Sequence, residues 1–334
     1  MNKKISSKDK FFIAGSTGMV GSAIFRALKK NGYGDLSLGG NILAPNRKEL
    51  DLLESKKVEE WFKQNNPSVV IIAAAKVGGI LANQQKPADF ILENLKIQTN
   101  LIEAAWRSNV KRLLFLGSSC IYPKFAKQPI QEESLLSGFL EKTNDSYAIA
   151  KISGIKLCQS LRAQYNFDAI SLMPTNLYGP GDNYHKDDSH VMAALIKKFC
   201  DAKKNNLEEV ICWGSGSPKR EFLHVDDLAT AAIFCLEKWD PDSQNAPVDK
   251  NGIPLDFLNI GTGEDISIKE LSNIIAESTN YKGKITWDLS KPDGTPKKQL
   301  DIKRIKALGW RPQISLRQGI KETISNYLEL QNKK

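Results

Sequence analysis

Tyr147-Ala-Ile-Ala-Lys151 sets a phenol and an ammonium one helical turn apart on a common face. A neighbouring ammonium stabilises phenolate and lowers a tyrosine pKa from about 10, so the pair predicts a hydroxyl usable as an acid near neutral pH. Upstream, an apolar run ends in Gly117-Ser118-Ser119-Cys120. In extended backbone Ser118 and Cys120 project to one side and Ser119 to the other. The Ser118 hydroxyl can then hold a carbonyl oxygen beside Tyr147, and a Cys120 thiolate can remove an acidified proton from the adjacent carbon. The competing reading of Cys120 is a small buried residue. Among three histidines, His190 follows a turn-rich loop at the head of a helical stretch, a rim position suited to a proton donor. His224 reads instead as an anchor entering a helix capped by acids, and no histidine pair has metal-ligand spacing.

These residues need a scaffold that delivers them to one crevice. Phe11 to Ala14 is a short apolar run followed by Gly15-Ser16-Thr17-Gly18-Met19-Val20-Gly21, and helical periodicity runs from Ser22 to Lys30. That order of strand, glycine turn and helix brings backbone amides and a helix N-terminus against a pyrophosphate, which suits a dinucleotide, although the spacing is GxxGxxG rather than GxGxxG. The second strand, an apolar run at Asn41 to Leu43, ends in the segment Asn41-Ile-Leu-Ala-Pro-Asn46-Arg47. No acid stands there to receive a ribose hydroxyl, and Arg47 favours the phosphate of NADP unless it is simply a surface charge.

Apolar runs recur at Val69 to Ala75, Leu113 to Gly117 and Ala169 to Met173, separated by helix-length segments at Ser55 to Gln64, Phe90 to Ser108 and Tyr147 to Tyr165. The alternation predicts an α/β fold: a Rossmann-type doubly wound parallel sheet with a smaller C-terminal α/β substrate domain. After Asn176 the alternation stops, and Tyr178 to Ser189 reads as a loop. Later segments (Val210 to Trp213, Asp226 to Glu237, Phe257 to Ile260, Ser267 to Thr279) suggest a discontinuous boundary, with a polar linker at Asp240 to Gly252. The expected division is 1–177 with 221–260 returning to it, against 178–220 and 261–334.

The 334 residues carry a net charge of +9, with 41% hydrophobic and 25% charged residues, a composition that excludes disordered and collagen-like classes. The excess positive charge is scattered, without an aromatic-studded basic stripe, so a phosphate-bearing small molecule explains it better than nucleic acid. The longest apolar run is far short of the roughly 20 residues of a membrane span, and Met1 to Lys10 reads as a solvated tail. Five widely spaced cysteines match neither a disulfide framework nor a zinc site, which points to a reducing cytoplasm.

The segments FIAGSTGMVGSAI, AAAKVGGILAN, FLGSSCIYPKFAKQPIQEE, YAIAKISGIKLC, MPTNLYGP, WGSGSPKREFLHVDD, NIGTGEDISIKEL and KPDGTPKK together resemble the GDP-L-fucose synthases of the extended short-chain dehydrogenase/reductases, from about Phe11 to Trp310. The resemblance implies NADPH-dependent epimerisation of GDP-4-keto-6-deoxy-D-mannose at C3 and C5 followed by reduction at C4. It makes Ser118, Tyr147 and Lys151 the reductase triad, with Cys120 and His190 as base and acid of the epimerisation. Cofactor contacts then fall on Gly15 through Gly21, on Leu116, Gly117, Ser118 and Ser119, on Pro174, Thr175, Asn176 and Leu177, and on Tyr147, Lys151 and His190. Substrate contacts fall on Lys198, Trp213, Arg220 and Asp293. Arg220 suits a diphosphate by charge and forked geometry, or a structural ion pair, and Trp213 packs on the ligand or fills core. Thr17 departs from the arginine of that pattern, with Arg47 as the available substitute, and the stretch Asp240 to Gly252 lies outside it. By the same analogy the helices over Phe90 to Ser108 and Tyr147 to Tyr165 form a homodimer interface. Alternatives are another NAD(P)-dependent nucleotide-sugar 4-epimerase or 4-reductase, or a dinucleotide-sensing regulator without catalysis.

Overall fold

The apolar runs become the strands β1 (Lys10–Ala14), β2 (Asn41–Leu43), β3 (Val69–Ile72), β4 (Arg112–Leu116) and β5 (Ala169–Pro174) in a computed structural model that describes residues 3–185, 189–291 and 293–332. Met1 and Asn2 of the expected tail and 186–188 of the expected loop lie outside the described residues. With the strand Phe257–Ile260, these five form one parallel sheet in the order Phe257–Ile260, β5, β4, β3, β1, β2. Every residue of β3, β4, β5 and Phe257–Ile260 is buried. That is why these strands read as unbroken apolar runs: helices cover both faces.

The helices are α1 (Met19–Lys30), α2 (Ser55–Asn65), α3 (Ile80–Gln85), α4 (Pro87–Arg107), α5 (Asp145–Tyr165), α6 (Val191–Lys204), α7 (Val225–Lys238), α8 (Ile268–Thr279), α9 (Lys303–Leu308) and α10 (Leu316–Asn332). Succession along the sheet reverses at β1, with β2 on one side and β3 on the other. The crevice beyond the carboxyl ends of such strands is where ligands sit in doubly wound folds. Gly154 lets α5 close on the sheet and on α4, since a Cβ there would stand 2.5 Å from the Phe115 ring.

A second core gathers Met192, Ile196 and Phe199 of α6 with Leu271 and Ile275 of α8 and Ile320 of α10. Glu209–Trp213 pairs in parallel with Lys284–Asp288. A small ladder sets Ile266 and Lys298 on either side of Arg220. The chain crosses between the two cores repeatedly: Leu300, Ile302, Ile305 and Trp310 pack with the first.

Two expectations need correction. The segment before β1 is no solvated tail over its described part: Ile5 is 1% exposed within the first core, and the Lys4 amide donates to Glu237 O at 2.9 Å. One isoleucine among charged residues was enough to find an apolar seat at the end of α7. The polar stretch 240–252 is also built in, because Arg304 Nε donates to Val248 O at 3.1 Å and the Lys250 amide to Glu133 Oε1 at 2.9 Å. Among the described residues no helix is long and apolar enough to cross a membrane, and no group of His, Cys, Asp and Glu side chains could hold a metal ion.

Candidate active site

The glycine turn after β1 has the shape of an anion cradle. Gly15 takes φ +84°, and a Cβ there would meet the Ala74 backbone at 2.7 Å. Gly21, within α1, lies so close to the turn that a Cβ would stand 2.1 Å from Gly15 O. Gly18 is the N-cap residue of α1, with no side-chain acceptor for the first amides and no acid in the first turn. Unclaimed amides at a helix N-terminus fit a pyrophosphate, so Ser16, Thr17, Met19 and Val20 stand where a dinucleotide would lie. Ser16 Oγ donates to Ala44 O at 3.1 Å, which draws the segment after β2 alongside this turn. Arg47 follows on that segment, 75% exposed and only 3.9 Å from Asp51, a pair weak enough to yield to a phosphate.

At the end of β4, Gly117 packs so tightly that a Cβ would sit 2.4 Å from Met173 Sδ. The chain then departs from the extended path expected of it: Ser119–Ile121 is a 3-10 turn with Ser118 as its N-cap, accepting the Cys120 amide at 3.2 Å. Ser119 is buried, while Ser118 still hydrogen-bonds toward both Cys120 and Tyr147. The grouping therefore arises from a capped turn and not from strand alternation.

Lys151 does not act on Tyr147 as the spacing predicts. Its Nζ donates to Leu116 O at 2.9 Å and lies 5.9 Å from the Tyr147 ring centre, and burial pushes the amine down to about 7. Burial, with a contribution from Cys120, holds the Tyr147 phenol above its ordinary value, against the Ser118 hydrogen bond. Tyr147 is thus a protonated donor in this arrangement, which is the form a carbonyl reduction consumes.

Cys120 runs the other way. Burial pushes the thiol up, but the Lys298 charge and donors from Ser118, Lys298 and Asn144 outweigh it, leaving the thiol below its ordinary value. Cys158, Cys200, Cys212 and Cys235 are all free, buried and raised, chiefly by burial. His190 is the N-cap residue of α6 and open to solvent on one side; the protein packed around it still disfavours the imidazolium, and Lys298 adds to that. Cys120, Tyr122, Lys124, Asn144, Thr295 and Lys298 line one cleft. A roomier cleft between α2 and α4, lined by Glu59, Lys63 and Arg107, opens near the start of β4, at the opposite end of the sheet.

The remaining candidates divide. Thr175 and Asn176 both donate to Glu221 O, at 3.2 and 2.8 Å, so Pro174 to Leu177 forms the wall between the sheet and the second core. Arg220 is half-buried beside Cys120, Asp293 and Glu141; burial lowers its guanidinium against their charges. Trp213 is 59% exposed with Lys291 Nζ 5.6 Å from its ring centre, a ready platform for a planar base and no part of the core. Lys198 Nζ donates to Ile211 O at 2.6 Å, and Asp293 accepts from the Ser215 amide and hydroxyl at 2.7 and 2.8 Å. Both are occupied within the protein, and Asp293 serves to clamp the loop after Trp213. His224 caps α7, accepting the Asp226 amide at 3.3 Å. Sequence reading missed Lys298 and Asn144; nothing in their spacing relates them to Cys120.

The family model for the NAD dependent epimerase/dehydratase family matches residues 11–248. The chain is 51% identical to GDP-L-fucose synthase 1 of Arabidopsis thaliana over 96% of this chain and 93% of that protein. It is 50% identical to GDP-L-fucose synthase of Escherichia coli, over 98% and 99%. Among solved structures it superimposes on the GDP-mannoheptose C4 reductase of Campylobacter jejuni with NADP bound, at a TM-score of 0.84 and 35% identity, covering 97% and 99% of the two chains.

Proposed function

Since this chain belongs to the GDP-L-fucose synthases, within the NAD dependent epimerase/dehydratase family, we propose that it converts GDP-4-keto-6-deoxy-D-mannose to GDP-L-fucose. It is an NADP-dependent GDP-sugar epimerase/reductase. The observation that carries the finer reading is the meeting of a protonated Tyr147 and an acidified Cys120 around Ser118, with His190 near enough to Lys298 to feel its charge. A plain C4 reductase needs the tyrosine alone; a thiol tuned toward thiolate serves proton removal.

The C4 ketone acidifies the hydrogens on C3 and C5. Cys120 takes such a proton, the electron pair moves onto the C4 oxygen, and the Ser118 and Tyr147 hydroxyls donate hydrogen bonds to that oxygen. His190 returns a proton to the opposite face of the carbon, which inverts it. The cradle formed by Gly15, Gly18 and Gly21 fits NADPH, which when bound supplies the hydride for C4. Tyr147 then gives its proton to the C4 oxygen, and Lys151, anchored on Leu116 O, would hold the ribose side of the cofactor. Arg220 receives the diphosphate and Trp213 the guanine. Arg47 takes the 2′-phosphate that Thr17 cannot.

We place the enzyme in the cytoplasm as a homodimer. All five cysteines are free, and the packed pair α4 and α5 leaves Leu92, Ile149 and Tyr165 exposed. A monomeric mass at micromolar concentration would remove the dimer.

Turnover in heavy water tests the reaction. NADPH oxidation with two solvent deuterons in GDP-L-fucose is the expected result. Oxidation without deuterium would make the enzyme a C4 reductase, like its Campylobacter jejuni relative, and leave Cys120 and His190 as packing.

A further inference from the structure

One contact at the site has no part in the scheme above: Lys298 Nζ lies 3.3 Å from Cys120 Sγ. We propose that Lys298 is a positioning residue for the epimerase steps, its ammonium holding the Cys120 sulfur as the charged base that removes the protons beside the carbonyl. The inference rests on the epimerase/reductase reading.

Geometry fixes the pair. Lys298 is paired in register with Arg220, and directly paired residues share a face of the ladder, so the two cations rise together toward Cys120. Lys297, on the alternate face, pairs with Asp265 at 2.9 Å. Among the described residues no carboxylate pairs with Lys298, so its charge goes to the sulfur. The groups that face Cys120 from other segments are Ser118, Asn144 and Tyr147 at the head of α5, and Arg220 with Glu141 beyond it; His190, at the head of α6, is linked to the cluster through Lys298. Lys298 makes the direct ionic contact, and it also bears on His190. The ammonium therefore stabilises S⁻, while burial first and Lys298 second disfavour the His190 imidazolium.

The step balances without a further reagent. A C–H bond breaks, an S–H bond forms, and the electron pair rests on the C4 oxygen. A His190 imidazolium, charged by a solvent proton, then loses an N–H proton as a new C–H bond forms on the other face, and the neutral imidazole is left. Solvent takes the sulfur proton and restores that of His190, and Lys298 stays protonated throughout.

The test reads the sulfur directly. Because the other four thiols are buried and raised, iodoacetamide at neutral pH reports Cys120, with Cys120→Ser as the blank. In Lys298→Met the midpoint of the alkylation rate against pH should rise by at least one unit; Lys298→Arg should restore most of the shift, and Lys297→Met should leave the profile where it is. Solvent deuterium exchange into GDP-4-keto-6-deoxy-D-mannose should fall 10- to 100-fold in Lys298→Met, with NADPH affinity held within twofold as the check on folding. A Lys298→Met profile that overlays the wild type overturns the proposal. So does a midpoint shift of the same size in Lys297→Met, which would mark a general field effect. A shifted profile in a wild-type enzyme that exchanges no deuterium leaves the ion pair standing and overturns its role, together with the epimerase reading.

Discussion

Glu221, wholly buried, accepts the Leu300 amide at 2.8 Å while its other oxygen takes those of Thr262 and Gly263 at 2.6 and 2.7 Å. It follows Arg220 directly, and Leu300 stands two residues beyond Lys298, so one carboxylate fastens the strand of Arg220 to the strand of Lys298. Glu221→Gln turns an acceptor into a donor facing amides, a mismatch of about 1–3 kcal/mol for each buried group left unpaired. Urea unfolding should show a loss of roughly 2–3 kcal/mol, with NADPH affinity of the folded fraction unchanged.

Tyr147→Phe separates the two halves of the reaction. In the proposed scheme the phenol is the donor to the C4 oxygen in reduction, whereas Ser118 still holds the enolate. NADPH oxidation should fall by about 10²–10⁴-fold. Deuterium should continue to enter unreduced substrate, which mass spectrometry of the ketosugar would record; loss of both activities together would place Tyr147 in the proton exchange as well.

The glycine turn predicts unequal costs for two like substitutions. Gly21→Ala drives a Cβ to 2.1 Å from Gly15 O, where only backbone movement relieves it, while Gly18→Ala meets that atom at 3.5 Å, an ordinary contact. Overpacking of this kind costs about 1–3 kcal/mol. Gly21→Ala should weaken NADPH binding by 10-fold or more with a visible fall in Tm, and Gly18→Ala should leave Tm within a degree or two. Calorimetry on both variants, with and without NADPH, decides it.

Lys151 links stability to pH. Its amine is held near about 7 in the fold by burial against an ordinary value of 10.5. Between those values the unfolded chain binds the proton that the folded one has lost, so stability rises with pH through this window, by up to roughly 1.4 kcal/mol per pH unit for one group. Buried thiols raised by the fold act in the opposite sense above pH 9. Unfolding of the cofactor-free enzyme from pH 7 to 9 should therefore gain stability, and Lys151→Met should flatten the rise; equal slopes in the two proteins would show that Lys151 keeps its proton.

The sheet was legible because strands covered on both faces must be apolar throughout. Asn41–Leu43 and Phe257–Ile260 emerge with the bounds read from sequence, and the ends of the longer helices move by no more than three residues. What escaped depends on contacts between distant segments. A Ser-Ser-Cys run looks the same whether it continues a strand or caps a 3-10 turn, and the Ser118 hydroxyl decides. A tyrosine and a lysine four apart share a helix face, but whether the ammonium reaches the phenol depends on Leu116 O, which takes it. Lys298 carries no local sign of its task, since its partner lies 178 positions away.

The ladder that carries Lys297 and Lys298 distributes two identical side chains by parity. One neutralises Asp265 and the other meets Cys120. A one-residue deletion between Trp287 and Lys297 would carry Lys298 to the place of Lys297 and set Gln299 against the sulfur, while an insertion would bring Lys297 to the sulfur and Pro296 to Asp265. Either change empties one of the two places without substituting any residue, and pulls the loop clamped by Asp293 out of step. For this stretch, then, length is under tighter constraint than composition, and relatives should differ there by exchange of residues rather than by their number.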